Sequence, residues 1–504
     1  MRKHLQVTAA FVIIGALVLT LINFSRDSNG VKAPMALSDY YNQELAWEDC
    51  YEDFQCSILD VPIDYSDLTV GTFEISVLRY LAADQKNRIG SLIINPGGPG
   101  SSGVNYAYNA EYIFSPDITD RYDIVGFDPR GVAESAPIRC FSDSEIDANY
   151  AADGKPDNAA ELAEAINETK KYAEKCLDQN EYLTAYGTAN AARDMDVLRE
   201  ALGDTKLNYM GKSYGTFMGT LYAQLFPDKI GRVVLDGAVD PSISQYEQIL
   251  TQAESFDNSL TDFLQECSKN INCSLPTDVD EARKSIITLL ATVAKKPIPQ
   301  RDSGDDKREL TETLLTLGMA AAFYNNEEGW PKLRTAFREI KLGYSDEFIK
   351  LADQYSGRLK DGTYRSNEFD SGAIIDCLDF ADDRTVADIT NDAKKISQLA
   401  SVFGPYLGYS GLTCQYLPKT KPVAITSITT NAPIMIIGTT RDPATPYQWA
   451  IGLQKVITNS QLLTLVGDGH TGHNRGSACI DNAVDNFYLK GVLPPKNKRC
   501  IATS

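Results

Sequence analysis

A short apolar run, LNYMG (207–211), leads into Gly211-Lys212-Ser213-Tyr214-Gly215, and a helix-like stretch follows through Phe226. This strand–turn–helix arrangement constrains the chain more than any other feature. A G-x-S-x-G pentapeptide alone arises by chance, but between a strand and a helix it forces a sharp turn. The serine hydroxyl then projects from the sheet edge, and the helix N-terminus behind it favours a developing oxyanion. The competing reading is a serine N-cap in a glycine turn.

The surrounding pattern places this turn in an α/β class. SLIINPGG (91–98), YDIVGFDPRG (122–131), RVVLDG (232–237), APIMIIG (432–438) and QLLTLVG (461–467) are further apolar runs ending in turns. Buried runs with helices between them predict a mostly parallel sheet covered on both faces. From about 242 to 410 the pattern becomes helical. YEQILTQAESFDNSLTDFLQEC (246–267) carries an apolar stripe, LTETLLTLGMAAAF (310–323) and GWPKLRTAFREIKLG (329–343) follow, and the polar 295–309 reads as a loop. The expected organisation is a core in two parts, 31–241 and 411–504, with a mainly helical cap inserted at 242–410 and an export segment at 1–30.

A serine nucleophile needs a general base. The chain has three histidines, His4, His470 and His473, and His4 lies in the N-terminal segment. His470 follows QLLTLVG and a Gly-Asp-Gly turn, at the strand end where α/β sites assemble. It is the preferred base, with His473 expected as a surface neighbour. The acid should lie between Ser213 and His470 in the chain. Asp442, in GTTRDPATPY, is the candidate, although an Asx-turn before Pro443 would also explain it. Asp236 ends RVVLDG and is the rival; Asp468 is too close to His470 along the chain to orient it. Asn95-Pro96-Gly97-Gly98-Pro99-Gly100 follows SLIIN and can turn backbone N–H groups toward a substrate oxygen. The expected oxyanion donors are the N–H groups of Tyr214 and Gly98, because Pro96 and Pro99 have none to give. A plain tight turn remains the alternative reading of this loop.

The N-terminus is basic (Met1-Arg2-Lys3-His4), and Val7–Phe24 is almost wholly apolar. That is an export signal, long enough to span a bilayer and without a clear small-residue cleavage site. Cleaved secretion and membrane attachment through residues 7–24 both stay open. Ten cysteines suit an oxidising compartment. Nearest-neighbour pairing would join 50–56, 140–176, 267–273, 377–414 and 479–500, although spacing does not fix connectivity. The net charge of -20 argues against nucleic acid or an anionic membrane surface as partner of the folded part.

The segments NPGGPGSSG, GFDPRGVAES, GKSYGT, GTTRDPATPYQWA and GDGHTGH…SACIDNAVDNFYLKGVLPP…C together resemble the tripeptidyl-aminopeptidase-like branch of the α/β-hydrolases, a branch related to prolyl aminopeptidases. The likeness runs from about Trp47 to Cys500 in the same order. It implies the α/β-hydrolase fold, a Ser213–Asp442–His470 triad, a 479–500 disulfide, and exported exopeptidases acting on free peptide N-termini. Asn95 and Pro96 stand where prolyl aminopeptidases often carry a histidine, which puts prolyl specificity in doubt.

Peptide substrates with free N-termini require a group that recognises an α-ammonium, and cap carboxylates would serve. The candidates are Glu247, Glu254 and Asp257 on the first cap helix and Asp376 and Asp379 beside Cys377; a solvated acidic face is the plainer reading of each. The chemistry calls for no metal or organic cofactor. An exported esterase or lipase on the same triad, and a catalytically silent peptide-binding surface protein, are the alternative functions.

Overall fold

The structure is a computed structural model that describes residues 36–502 apart from 303, 305, 381 and 382. The apolar segment 7–24 lies outside the described residues. Among the described residues, no helix is long and apolar enough to cross a membrane.

Twelve strands occur in chain order: β1 (Glu48–Cys50), β2 (Phe54–Pro62), β3 (Thr72–Tyr80), β4 (Gly90–Asn95), β5 (Tyr122–Phe127), β6 (Leu207–Lys212), β7 (Ile230–Asp236), β8 (Ile298–Pro299), β9 (Glu309–Leu310), β10 (Ile434–Arg441), β11 (Ser460–Asp468) and β12 (Arg499–Ile501). Ten form one sheet in the order β1-β2-β3-β5-β4-β6-β7-β10-β11-β12. Pairing from β5 through β4 to β12 is parallel, and β1–β3 add an antiparallel flank. Every residue of β4 and β5 is buried, as expected for parallel strands covered on both faces. One face packs Ile93, Val125, Tyr209 and Leu235 against helices; the other packs Leu92, Ile94, Met210 and Val234. This alternation follows from the two-residue period of a strand.

The six apolar runs read from the sequence became β4, β5, β6, β7, β10 and β11. Strands β1–β3 and β12 were not anticipated. β3, TFEISVLRY, alternates exposed Thr72 and Glu74 with buried Phe73 and Ile75, so a search for continuous apolar runs passes over it. The 295–309 segment is a loop whose two ends pair as the small β8–β9 ladder.

Between β7 and β10 the chain is helical, beginning with Gln245–Cys267, Val279–Lys295, Glu312–Tyr324 and Asn326–Lys341. Phe256, Phe263, Leu315, Phe323, Phe337 and Phe348 give this block its own apolar cluster. The helix Glu368–Asp379 behaves differently: Ile374, Ile375 and Leu378 are buried in the cluster that also packs the sheet. It brings residues from the middle of the helical stretch down onto the sheet edge.

All ten cysteines are paired, as 50–56, 140–176, 267–273, 377–414 and 479–500.

Candidate active site

Ser213 sits between β6 and the helix Tyr214–Leu225, with φ 53 and ψ -125. A positive φ in a non-glycine residue is a strained conformation that the surroundings must hold in place. The flanking glycines allow it: a Cβ on Gly211 would lie 2.3 Å from the Gly215 carbonyl oxygen. The Ser213 N–H donates to the Asp236 carbonyl at 2.8 Å.

His470 and Asp442 meet at the C-terminal ends of β11 and β10. His470 Nδ1 lies 2.9 Å and 3.0 Å from the two Asp442 oxygens. Asp442 is fully buried. It also accepts the N–H groups of Ala444 and Thr445 at 2.9 Å, that of Thr471 at 3.0 Å, and the Thr445 hydroxyl at 3.0 Å. The same carboxylate thus makes both the Asx-turn contacts and a hydrogen bond to the His470 ring. An acceptor at this position orients the imidazole through Nδ1 and leaves Nε2 free to face the elbow. The imidazole packs edge-on against Tyr324 at 5.0 Å between ring centroids.

His473 is not the surface neighbour that its loop position suggested. It is 2% exposed and packs against Phe114. Burial holds its imidazole well below the usual histidine range, and the nearby Lys212 charge adds to this. Asp236, the rival acid, is turned to the amides of Gly472 and His473. Asp468 pairs with Arg441 at 2.5 Å.

Two chambers meet at Ser213. One, of about 740 Å³, contains His470, Gly98, Glu368 and Asp376 among its walls. The other, of about 430 Å³, is lined by Tyr214, Phe256, Leu317, Phe380, Phe403 and Trp449. Gly98, Pro99, Ser213 and Asp376 border both. The glycine loop lies directly on the elbow, since a Cβ on Gly97 (φ +106) would fall 2.6 Å from the Lys212 carbonyl oxygen. No larger residue fits there.

The acidic candidates separate cleanly. Glu247 is exposed and caps its own helix, accepting the Ser244 N–H and hydroxyl at 2.8 Å. Glu254 is half-buried on the same helix and is not among the residues lining the two chambers. Asp257 pairs with Arg283 at 2.7 Å and accepts the Phe403 N–H at 2.9 Å, so its charge is already used. Asp379 is buried and accepts the Thr188 N–H at 2.8 Å, the Thr188 hydroxyl, and the Tyr214 hydroxyl. It braces the residue after Ser213 rather than facing the chambers.

Asp376 does line both chambers, and burial together with the neighbouring Asp379 raises its carboxyl to about 7. Glu368, which sequence reasoning missed, stands two helical turns before it. Its carboxylate accepts the Ser101 hydroxyl and lies close to the glycine loop, 3.2 Å from where a Gly98 Cβ would be. Burial raises this carboxyl as well. The spacing Glu368, Gly372, Asp376 was the available signal, because residues four apart share a helix face.

A family model described as alpha/beta hydrolase fold matches residues 90–278, and one described as TAP-like protein matches residues 400–500. The chain is 35% identical over 458 residues to the serine protease Hip1 of Mycobacterium tuberculosis, covering 88% of this chain and 87% of that one. It is 34% identical over 481 residues to carboxylesterase B of the same organism, covering 91% and 90%. Tripeptidyl aminopeptidase of Streptomyces lividans is 29% identical over 499 residues, covering 95% and 90%. With this likeness spanning sheet, elbow and C-terminal region, the chain belongs to the α/β-hydrolase family, in the branch with a TAP-like C-terminal region, and is a serine hydrolase.

Proposed function

We propose that this protein is an exported serine exopeptidase that releases short units from free peptide N-termini. The observation that carries the reading is the pair of carboxylates, Glu368 and Asp376, in the chamber that also holds Ser213 and His470. Buried carboxylates with raised pKa values gain most from a cationic partner, and an α-ammonium supplies one.

Ser213 Oγ attacks the scissile carbonyl while His470 Nε2 takes its proton. Asp442 holds Nδ1–H and stabilises the imidazolium. The Tyr214 and Gly98 N–H groups receive the oxyanion. His470 then protonates the departing amine, and water, activated by the same imidazole, releases the acyl group. Every group used is a side chain or backbone amide of the chain. Five disulfides support an oxidising compartment, and residues 7–24 supply the export signal. The likeness to relatives named serine protease and tripeptidyl aminopeptidase supports peptide substrates.

An esterase is the second reading, favoured by the relative named carboxylesterase B. The deciding assay compares fluorogenic tripeptides with free and N-acetylated termini against p-nitrophenyl esters. The exopeptidase reading expects free-amine peptides to be strongly preferred. Equal cleavage of acetylated peptides overturns it, and turnover of esters alone establishes the second reading.

A further inference from the structure

Beneath the loop that carries His470 lies a buried ion pair that the catalytic chemistry does not use. Asp236 is fully buried at the end of β7. Its Oδ1 accepts the Gly472 N–H at 2.7 Å, and its Oδ2 accepts the His473 N–H at 2.9 Å. Its backbone carbonyl accepts the Ser213 N–H. One residue thus holds the nucleophile by its main chain and the histidine loop by its side chain.

Lys212 completes the arrangement from the other side. It is the residue immediately before Ser213 in the elbow, and its side chain is only 13% exposed. Its Nζ donates to the His473 carbonyl at 2.9 Å and lies 3.9 Å from Asp236 Oδ2. The main chain of His473 is therefore held on both sides of its Cα, the N–H by Asp236 and the carbonyl by Lys212. Burying two charges carries a desolvation cost that a simple packing role would not require. Here both charged groups engage main-chain groups of Gly472 and His473, two and three residues beyond the general base.

We infer that Lys212 and Asp236 form a positioning clamp that sets the register of the His470 loop against Ser213. They are positioning residues, acting through the loop and not on the substrate. The inference rests on the triad reading proposed above. In a site of this kind, a displacement of about 1 Å costs on the order of 100-fold in rate.

The test uses the full chain with Lys212→Met, Asp236→Asn and the double substitution. Methionine keeps the stem of the lysine but cannot donate. Asparagine offers one acceptor where two amides need one each, and it leaves the main-chain contact to Ser213 in place. Three quantities are read well below each variant's melting temperature: kcat, KM for a free-amine tripeptide, and the rate at which diisopropyl fluorophosphate phosphorylates Ser213 with loss of fluoride. The last reports nucleophile activation without peptide binding.

Each single substitution should lower kcat and the phosphorylation rate together, by about 10- to 100-fold, with KM within about twofold. The double variant should lose little more than the worse single one, because both remove the same grip. Folded single variants phosphorylated by the reagent at the parent rate overturn the clamp. So do losses that multiply in the double variant, or a loss confined to KM. Ser213→Ala separates this from failure of the triad reading: if it retains hydrolysis, the triad is wrong. If it is inactive while Lys212→Met behaves as the parent, only the clamp is wrong.

Discussion

Tyr324, the last residue of the helix Glu312–Tyr324, accepts the His470 N–H on its carbonyl at 3.0 Å and lays its ring against the imidazole. The same carbonyl accepts Arg475 at 2.9 Å. The helical block is thus bonded directly to the loop of the candidate base. It is part of the site's construction as well as its roof. Tyr324→Ala keeps the carbonyl but removes the ring, so the imidazole loses one wall. We expect kcat/KM for a free-amine tripeptide to fall by about tenfold or more, equivalent to ~1.4 kcal/mol of transition-state stabilisation. Tyr324→Phe should stay within about twofold, because the hydroxyl's hydrogen-bond partner among the described residues is Tyr355, at 3.3 Å, and not a group of the triad. Steady-state kinetics on the two variants checks this.

Asp442 accepts hydrogen bonds from Ala444, Thr445 and Thr471 while it holds His470 Nδ1. Asp442→Asn should favour the wrong imidazole tautomer and reduce kcat by about four orders of magnitude. Thr445→Val removes a single hydroxyl contact to Asp442 and leaves the backbone donors in place. One buried hydrogen bond is worth about 1 kcal/mol, so a loss near fivefold is expected. A pre-steady-state burst assay would show both effects in the acylation step.

Asp376 links substrate binding to pH. Its native carboxyl is raised to about 7, against an ordinary value near 4 when unfolded. The native state therefore holds a proton that the unfolded chain has released between those values. This group's contribution to stability is present below pH ~4 and is lost as pH rises toward 7. In the unliganded enzyme, Asp376→Asn should flatten that part of the melting-temperature profile. Ammonium binding calls for the ionised form, so KM for free-amine peptides should rise as pH falls below about 7. In Asp376→Asn, KM should be raised about 10- to 100-fold and lose this dependence, as expected when a charge-assisted contact disappears. An unchanged KM profile would remove Asp376 from amine recognition.

The Cys377–Cys414 bridge joins the helix bearing both carboxylates to the segment Ser410–Gln415, and both cysteines line the larger chamber. Its half-cystines are 37 residues apart in the chain. Replacing both with serine should lower stability by ~4 kcal/mol on the chain-entropy estimate. KM for free-amine peptides should rise in the same variant, since the helix loses a tether beside Asp376. Denaturant titration and kinetics on one preparation would show the two effects together.

The buried parallel strands were readable because such strands are apolar throughout. The antiparallel flank β1–β3 was not, because half of its side chains face outward and break the runs. Ser213, Asp442 and His470 were legible for a similar reason. A strand-to-helix turn has few sequence solutions, and only two histidines follow it in the chain.

Chemical identity and chain order by themselves determined the α/β class and the candidate nucleophile, base and acid; nearest-neighbour cysteine pairing was only one of the connectivities that spacing allows, and it is the one the structure has. Tertiary structure decided what each charge is for. Glu247 and Asp257 looked like amine-binding candidates, yet one caps its helix and the other is neutralised by Arg283. Glu368 drew no notice in the sequence, and it reaches the chamber because its helix packs down onto the sheet. Asp236 and Asp442 both end strands after Ser213, and local sequence treats them nearly alike. Only the path of the 469–473 loop places one against His470 Nδ1 and the other beneath its backbone. Asp442 meets His470 across 28 residues of chain and Asp236 meets Gly472 across 236, and no local pattern encodes such contacts.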